Sequence, residues 1–357
     1  MKNHLDSEYF PFVSVIITMF NASQFIESCL QSLELQSIRN FEVLLIDDGS
    51  TDDSPKLAKC AMPTVNLTTI LTTSNLGVSH ARNLGLARAK GKYLFFLDAD
   101  DTLEPNSLEV LLNQAEQGQF DMVIGNYSRR PNGTLYGTDI DLDRSLIISD
   151  EFLKKYAFLY LNNPKRHPLL NNIWGRLYSA QIIRKFDIEF SVGVKVGEDL
   201  AFNYEYIRHT TRIYFINSRL YNYRIHTSAQ SATMTLDLDA ILLRHAVDSI
   251  ANFLVDSGED AVKVEKSTAL ASVHLAIIGA VRLGSMFNNY SIIKVYILIT
   301  QIANHRIVRL GLGHYKRPKN GSFLIPFLMK RKVYSILFLI LLLRGFLRYN
   351  PLMRWSR

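Results

Sequence analysis

The chain has 357 residues, 48% of them hydrophobic, so it can bury a sizeable core and is long enough for two domains or for one domain with an extension. Its two cysteines, Cys29 and Cys60, exclude the disulfide framework of a small secreted protein, and the N-terminal residues lack the pattern of a signal peptide. The net charge is +7, yet no Asp or Glu follows Glu265, whereas residues 266–357 contain 15 Lys or Arg.

Strand and helix patterns alternate over the first 127 residues. Continuous apolar runs rich in β-branched residues predict buried strands, and apolar residues at helical spacing predict helices between them. Such an alternation predicts an α/β fold with a Rossmann-like, mostly parallel sheet and helices on both faces. The predicted strands are 13–18, 41–48, 67–73, 93–98 and 120–127, and the predicted helices are 22–36, 50–62, 78–91 and 104–118.

Two capping features are predicted within these helices. Ser50 is predicted to cap the second helix, with Asp53 three residues later. Gly91 is predicted to stop the third helix.

The pattern changes after residue 130. The dipeptide Asn132-Gly133 predicts a hairpin turn, and helices are predicted near 150–161 and over 199–210, with one or two strands in 212–226. From residue 236 onward the pattern is helical, with apolar segments at 269–281 and 291–303. We therefore divide the chain into residues 1–130, 131–235 and a helical, basic region 236–357.

Polar residues follow three of the predicted strands. Thr18 follows the first strand, Asp47 and Asp48 end the second, and the sequence "LFFLDADDTLEP" places Asp98, Asp100 and Asp101 after the fourth. In an open α/β sheet, ligands bind beyond the carboxyl ends of the strands. Because clustered carboxylates repel one another, we expect a hard divalent cation, Mg²⁺ or Mn²⁺, among them, with substrate phosphate oxygens completing its coordination.

Simpler interpretations exist for both acidic stretches. "DDGSTD" is also compatible with a turn and a helix cap, and "DADDT" with a loop whose acids favour the next helix N-terminus. "DADDT" also matches the pattern of aspartate-nucleophile phosphatases, but that motif should follow the first strand of its fold. A nucleotidyltransferase should have a glycine-rich loop after the first strand, and "TMFNASQF" contains no glycine.

Five segments in order resemble the family 2 glycosyltransferases, which have the GT-A fold. They are "VSVIITMFN", "FEVLLIDDGSTD", "NLGVSHARNLGL", "YLFFLDADD" and "VGEDLAF", and the resemblance covers about residues 12–230. It implies that residues 1–130 bind a nucleotide-sugar and that residues 131–235 form the acceptor and catalytic half of the same domain. The activity that it implies is inverting transfer of a sugar from a UDP-sugar with a divalent metal as cofactor.

The resemblance also implies roles for individual residues on the donor side. Thr18, Asp47 and Asp48 would hold the base and ribose, and Arg82 would lie near the base or diphosphate. Asp100 would bind the metal directly, whereas Asp98 would contact the ribose or the metal and its water.

On the acceptor side the resemblance implies that Asp199 is the catalytic base, paired with Glu198. Arg176, where the family usually has Lys, and Trp174 would line the diphosphate or acceptor site, although a buried Trp without such a role is an alternative. Arg224 and His226 would contact the diphosphate and the metal in a segment that closes over the donor.

The C-terminal region predicts a membrane partner. An acid-free basic stretch that also contains "VYSILFLILLL" at 333–343 favours an anionic membrane surface, although a buried helix with solvated basic flanks is an alternative. Eleven residues are too few to span a bilayer, and no nucleic-acid motif accompanies the basic residues. We therefore expect a protein located in the cytoplasm, peripheral on the inner face of the cell membrane.

The expected function is addition of a single sugar to a glycan or lipid-linked oligosaccharide in cell-surface polysaccharide synthesis. The processive synthases of the family carry a Q-x-x-R-W motif, and here "PLMRW" has Pro351 in place of the Gln. A non-catalytic subunit that binds nucleotide-sugars is the alternative, made less favourable by the presence of both Asp100 and Asp199.

Overall fold

A computed structural model describes residues 11–64, 67–131, 144–164, 169–210, 212–225, 237–285, 291–315 and 323–349. The chain forms two compact units. Unit 1 comprises Met1–Phe152, Leu169–Gly193 and Glu198–Ala229, and unit 2 comprises Leu153–Pro168, Val194–Gly197 and Gln230–Arg357. The predicted turn at Asn132-Gly133, the residue His226 and the "PLMRW" segment lie outside the described residues.

Unit 1 is built on one sheet flanked by helices. Its strands are β1 (Val13–Met19), β2 (Phe41–Asp47), β3 (Leu67–Thr72), β4 (Tyr93–Asp98), β5 (Thr102–Leu103), β6 (Met122–Pro131), β7 (Leu146–Ile148), β8 (Arg176–Ser179) and β9 (Ile213–Ile225). Its helices are α1 (Ile26–Glu34), α2 (Ser54–Ala61), α3 (Val78–Arg88), α4 (Ser107–Gly118), α6 (Ala180–Lys185) and α7 (Glu198–Ile207), and α5 (Asp150–Asn162) continues into unit 2.

The sheet has the strand order β3-β2-β1-β4-β8-β6-β9-β5, and β7 also pairs with β9. Strand β1 pairs in parallel with β2 and β4, in a register that places Met19 opposite Asp47 and Thr18 opposite Asp98. The polar ends of three neighbouring strands therefore meet at one edge. This confirms the predicted α/β fold with a mostly parallel sheet, to which the helices after residue 236 are added.

One inner strand was not predicted. Strand β8 is antiparallel to both of its neighbours, β4 and β6, and β5 and β7 are antiparallel to β9. The sheet is therefore mixed beyond β4. β8 has only four residues and begins with the buried, charged Arg176, so it lacks the apolar run that identified the other buried strands.

Two predicted helix boundaries were wrong. Helix α2 begins at Ser54, and the Ser50 hydroxyl instead accepts the Asn21 amide at 3.0 Å. Helix α3 ends at Arg88, before Gly91. A Cβ atom at position 91 would lie 2.5 Å from the backbone nitrogen of Ser14, so Gly91 permits a close backbone approach.

The core of unit 1 explains why these segments form strands and helices. All seven residues of β2 and all but the last residue of β4 are buried, as expected for strands covered on both faces. Helix α1 contributes one apolar stripe that includes Ile26, Leu30 and Leu33. Cys29 belongs to this stripe and is fully buried as a free thiol.

Unit 2 consists mainly of helices, as predicted. They are α8 (Leu238–Ile241), α9 (Arg244–Asp256), α10 (Ala261–Ser285), α11 (Ile292–Asn304), α12 (Arg306–His314), α13 (Leu324–Lys330) and α14 (Tyr334–Tyr349). Helix α10 packs closely on α12 at Gly311. A Cβ atom at this position would lie 2.1 Å from the carbonyl oxygen of Ala269, so the absence of a side chain permits this approach.

Among the described residues, one segment, Ala261–Gly284 of α10, is long and apolar enough to cross a membrane by length and composition. About 61% of its most apolar window is buried inside the structure. A core helix of a globular protein has the same properties, so this segment is weak evidence for a membrane span.

Candidate active site

Three carboxylates converge in the turn that follows β4, which we call the acidic turn (residues 98–101). Asp98, Asp100 and Asp101 each offer an oxygen atom, and these oxygens lie within 4.8 Å of one another. Asp98 and Asp100 are partly exposed, whereas Asp101 is 1% exposed. The acidic side chains predicted after the fourth strand therefore lie together, whereas this group does not include Asp47 or Asp48.

Asp101 is held by strand β9 rather than directed to solvent. Its Oδ2 accepts a hydrogen bond from the Tyr221 hydroxyl at 2.7 Å, and its Oδ1 accepts one from the Arg224 amide at 2.7 Å. Burial raises the pKa of Asp101 well above its usual value, and the neighbouring Asp100 and Asp98 raise it further. Asp101 therefore anchors the acidic turn to β9.

Arg224 and Tyr221 also contact the acidic turn directly. The Arg224 Nε donates to the Asp100 carbonyl oxygen at 2.9 Å, and its guanidinium lies 5.0 Å from the centre of the Phe25 ring. The Asp98 amide approaches the Tyr221 hydroxyl at 3.3 Å. Arg224 thus lies beside the acidic turn, and its predicted contact with the diphosphate stays a prediction, whereas Tyr221 was not among the predicted site residues.

Arg82 connects the acidic turn to a second pair of carboxylates. Its side chain extends from α3 and is almost completely buried. One terminal nitrogen lies 3.5 Å from Asp98 Oδ1. The other lies 2.6 Å from Asp199 Oδ1 and 3.4 Å from Glu198 Oε1.

Glu198 and Asp199 occupy the first turn of α7, where acidic side chains interact favourably with the helix dipole. The guanidinium of Arg82 thereby contacts both Asp98, which is predicted to contact the ribose or the metal, and Asp199, which is predicted to be the base. The Arg82 guanidinium carbon also lies 5.3 Å from the centre of the Phe190 ring, which closes its remaining side with an apolar surface.

Burial raises the pKa values of two carboxyl groups around Arg82. It raises the pKa of Asp98 to about 6; Arg82 opposes this shift, and Asp100 adds to it. Burial and the neighbouring Asp199 raise the pKa of Glu198 to about 7, and Arg82 again opposes the shift. Since three carboxylates share one cation, the group carries an excess of negative charge that an added cation would relieve.

The residues at the ends of β1 and β2 form the adjoining part of this edge. Asp48 accepts hydrogen bonds from the amides of Leu76 and Gly77, both at 2.8 Å, and from the Thr73 hydroxyl. It therefore fixes the loop that leads into α3. Among the described residues, only the Gly77 amide donates to Asp48 Oδ2, so this oxygen can accept a further hydrogen bond, for example from an N–H of the base that Asp48 is predicted to hold.

Asp47 and Thr18 lie beside Asp48 but have different surroundings. Asp47 is 3% exposed, and its Oδ1 accepts the Ser50 amide at 3.0 Å. Thr18 is partly exposed and lies opposite Asp98 in the β1–β4 register. The predicted donor-binding roles of Thr18, Asp47 and Asp48 stay predictions.

Arg176 and Trp174 are both buried. The guanidinium of Arg176 is buried and donates to the carbonyl oxygen of Leu169 at 2.9 Å and to the side chain of Asn172. The Trp174 ring, 8% exposed, stacks on Tyr221 at 4.5 Å and on Tyr223 at 5.3 Å. Both side chains thus belong to the interior of this region, and their predicted contacts with diphosphate or acceptor stay predictions.

The donor set of the acidic turn fits a hard divalent cation. Oxygen ligands are the ones that Mg²⁺ and Mn²⁺ prefer, and both oxygens of Asp101 already accept hydrogen bonds from β9. Asp98 and Asp100 are therefore the residues that would hold the metal. Burial, with Asp100 and Asp199 nearby, raises the pKa of Asp98, and a bound cation would act against this shift by favouring the ionised carboxylate.

A known protein family matches the first half of the chain. The family model described as "Glycosyl transferase family 2" matches residues 14–185, which contain most of β1, all of β2 and β4, and the acidic turn. This segment belongs to glycosyl transferase family 2. The resemblance stated from the five motifs is therefore confirmed.

Two curated relatives show how much of the chain is shared. GlyA, a glycosyltransferase of Streptococcus pneumoniae, is 28% identical over 232 residues, which are 62% of this chain and 32% of GlyA. The teichoic acid poly(glycerol phosphate) polymerase of Staphylococcus epidermidis is 27% identical over 255 residues, which are 70% of this chain and 33% of that protein. The matched part therefore spans about a third of the length of each relative.

A solved structure extends the similarity to most of the fold. The crystal structure of S. aureus TarS residues 1–349 in complex with UDP-GlcNAc has a TM-score of 0.62 and is 17% identical in sequence. The similarity covers 91% of this chain and 89% of that one. It supports the GT-A-like fold with added C-terminal helices.

Proposed function

We propose that this family 2 glycosyltransferase is an inverting, divalent-cation-dependent enzyme that moves one sugar from a UDP-sugar to a hydroxyl group of a glycan or lipid-linked oligosaccharide. The observation that carries the proposal is the contact of Arg82 with both Asp98 and Asp199, at 3.5 and 2.6 Å. Carboxylates suited to a cation and a carboxylate suited to act as base thereby lie on opposite sides of one guanidinium.

The donor side of the proposal depends on Asp98 and Asp100. When bound there, a divalent cation supplies positive charge that stabilises the departing diphosphate. Arg82 and Arg224 would add fixed positive charge beside the same turn. A uridine nucleotide is the proposed donor because TarS, which has a similar fold, has been crystallised with UDP-GlcNAc, and because Asp48 has an acceptor position left for a uracil N–H.

Asp199 is the proposed base. Inversion requires a single in-line displacement, in which the acceptor oxygen bonds to the anomeric carbon as the bond from that carbon to the UDP oxygen breaks. The acceptor hydroxyl must lose its proton as it attacks, and a carboxylate within hydrogen-bonding distance takes that proton. Arg82 orients Asp199 through the 2.6 Å contact, while Glu198, with a pKa of about 7, can stay protonated beside it.

The proposed acceptor is an intermediate in cell-surface polysaccharide synthesis. A relative that covers 70% of this chain is a teichoic acid polymerase, which supports this class of acceptor. Such acceptors are made at membranes, and the absence of acidic residues after Glu265 supports a peripheral location on the inner membrane face.

The test is a screen of UDP-sugars with Mn²⁺ or Mg²⁺, measuring UDP release and thermal stabilisation before and after candidate lipid-linked acceptors are added. We expect Asp199→Asn to retain donor binding while transfer falls by 10²-fold or more, as an order of magnitude for loss of a general base. Asp100→Asn should weaken the response to the cation. Asp53→Asn, which changes an exposed acid at the start of α2, is the matched control.

Three results would reject parts of this proposal. Transfer by Asp199→Asn at the wild-type rate would reject the base. Full activity in the presence of a chelator would reject the cation. A product with the same anomeric configuration as the donor, measured by NMR, would reject inversion.

A further inference from the structure

The last two helices of unit 2, α13 and α14, expose several large apolar side chains, as α11 does with Ile292, Ile293 and Ile297. On α14, Ile336, Leu339 and Leu343 are 51%, 58% and 62% exposed. Their spacing of three and four residues places them on one side of the helix, which we call the apolar stripe. A second row on the same helix, Leu337 and Leu341, is fully buried.

Helix α13 repeats this division. Ile325, Leu328 and Met329 are buried in the same core cluster as Leu337 and Leu341. Phe323, at the start of α13, and Phe327 are 59% and 42% exposed, and their rings stack at 5.6 Å. Because both helices bury their other sides in one core, the apolar stripe and the two phenylalanines face away from that core.

Three consecutive basic residues connect these helices. Lys330, Arg331 and Lys332 are all exposed and form what we call the basic turn. The guanidinium of Arg331 lies 5.8 Å from the centre of the Phe327 ring, so positive charge and exposed aromatic surface are adjacent. No acidic residue exists anywhere after Glu265 that could neutralise them locally.

We infer that the apolar stripe, Phe323, Phe327 and the basic turn form a docking surface for an anionic lipid bilayer. A helix that buries one apolar row and exposes another is unfavourable in water unless something covers the second row. Large apolar side chains next to Lys and Arg are the combination that lies in the interface of an anionic membrane, with the basic residues at the phosphate level. This surface would carry the membrane location proposed above, but it does not depend on sugar transfer.

The surface would lie on the membrane rather than cross it. Helix α14 is shorter than the roughly 20 residues that a span requires, and most of the longer α10 window is already buried. Charge complementarity favours an anionic bilayer over a second copy of this chain as the partner of this surface. Residues 266–357 contain no Asp or Glu, so the same surface of a second copy would also be basic and would repel the first.

The experiment is sedimentation of the full chain with vesicles of phosphatidylcholine alone and with 30% phosphatidylglycerol, at low and high salt. We expect binding to the anionic vesicles that weakens as salt rises. Lys330→Gln, Arg331→Gln and Lys332→Gln together should weaken it on the order of 100-fold at low salt. The matched charge control combines Lys56→Gln, Lys59→Gln and Lys90→Gln, which change three exposed lysines in unit 1.

The apolar contribution is tested separately. Leu339→Ser with Leu343→Ser should weaken vesicle binding roughly 10- to 100-fold, without lowering the melting temperature, because both side chains are already exposed. Val255→Ser with Val262→Ser is the control, since these residues of unit 2 are 47% and 54% exposed but lie on α9 and α10.

Several outcomes would overturn the inference. They are no sedimentation of the unaltered chain, equal binding to neutral and anionic vesicles, and equal loss in the test and control variants. A dimer of the unaltered chain that the Leu339→Ser and Leu343→Ser changes dissociate, without vesicle binding, would instead identify a self-association surface. UDP release measured in the same samples separates each of these outcomes from failure of the proposed sugar transfer.

Discussion

Arg82 and Asp199 are 117 residues apart in sequence, yet a terminal nitrogen of Arg82 lies 2.6 Å from an oxygen of Asp199. The same guanidinium approaches Asp98 of the acidic turn. A rigid, planar cation with several donors is suited to hold carboxylates from different elements in fixed positions. The contact therefore makes Arg82 a positioning residue for the proposed base, in addition to its predicted place near the donor.

The first prediction separates these two roles of Arg82. If Arg82 mainly orients Asp199, Arg82→Gln should lower kcat by roughly 10²-fold while the KM for the UDP-sugar changes little. Arg82→Lys should recover part of kcat, because one ammonium keeps the charge but loses the two-sided geometry. Steady-state kinetics at saturating acceptor provide the measurement. A large rise in donor KM with kcat unchanged would favour the diphosphate contact instead.

The sequence could predict the edge of the sheet near which Arg82 lies, because the residues of each strand and of the loop that follows it determine that edge. The strands β1, β2 and β4 are continuous apolar runs, and each ends in polar residues that the parallel register brings together. Which side chains meet across the site could not be predicted this way. The pairs Arg82–Asp199 and Tyr221–Asp101 join residues 117 and 120 positions apart, and periodicity within one element contains no information about such pairs.

Strand β8 shows a second limit of sequence patterns. It has four residues and contains the buried Arg176, whose hydrogen bonds the carbonyl oxygen of Leu169 and the side chain of Asn172 accept, which offsets part of the cost of burying its charge. Nothing in those four residues indicates this compensation. The motif resemblance located Arg176 as a site residue but did not reveal the antiparallel strand that contains it.

A second prediction concerns the pH dependence of stability. Burial raises the pKa of Glu198 from 4.5 to about 7, so between these pH values the folded state binds more protons than the unfolded state does. The free energy of unfolding should therefore decrease as pH rises from about 4.5 to 7 and then level off. This single group contributes at most about 3.5 kcal/mol, since each pKa unit corresponds to about 1.4 kcal/mol.

Urea unfolding at pH 5 and pH 8 with a chelator present provides the measurement. Glu198→Gln should reduce the loss of stability between the two pH values, because glutamine does not titrate. Glu109→Gln, at a partly exposed acid of α4 for which no such burial applies, is the control. An identical pH dependence in the unaltered chain and Glu198→Gln would contradict the assignment.

The third prediction concerns the anchoring of the acidic turn by Tyr221. Its hydroxyl donates to Asp101 at 2.7 Å, and removing it leaves a buried carboxylate with one fewer partner. Tyr221→Phe should therefore cost about 1–3 kcal/mol in the free energy of unfolding and should weaken Mn²⁺ binding by displacing Asp98 and Asp100. Calorimetric titration with Mn²⁺ and UDP measures the second effect.

Tyr214→Phe is the matched control for this variant. Tyr214 lies on the same strand, β9, and its ring stacks on Phe120 at 5.0 Å, away from the acidic turn. It should leave Mn²⁺ binding unchanged. Equal Mn²⁺ affinity in Tyr221→Phe and the unaltered chain would show that Asp101 does not need the hydroxyl to position the turn.

The fourth prediction concerns Trp174, for which sequence alone left two interpretations open. The ring is 8% exposed and stacks on Tyr221 and Tyr223, so packing accounts for most of its surface. Trp174→Ala should cost about 3–5 kcal/mol in the free energy of unfolding, whereas Trp174→Phe, which keeps an aromatic ring between the same neighbours, should cost much less.

The two Trp174 variants together decide whether the residue also contacts the acceptor. If its role is packing alone, Trp174→Phe should transfer sugar with an acceptor KM close to that of the unaltered chain, because the acidic turn and Asp199 keep their positions. If the ring stacks on the acceptor sugar, the same variant should raise that KM several-fold at unchanged melting temperature. Since the exposed fraction of Trp174 is small, we expect the first result, and steady-state kinetics with varied acceptor at saturating UDP-sugar distinguish the two.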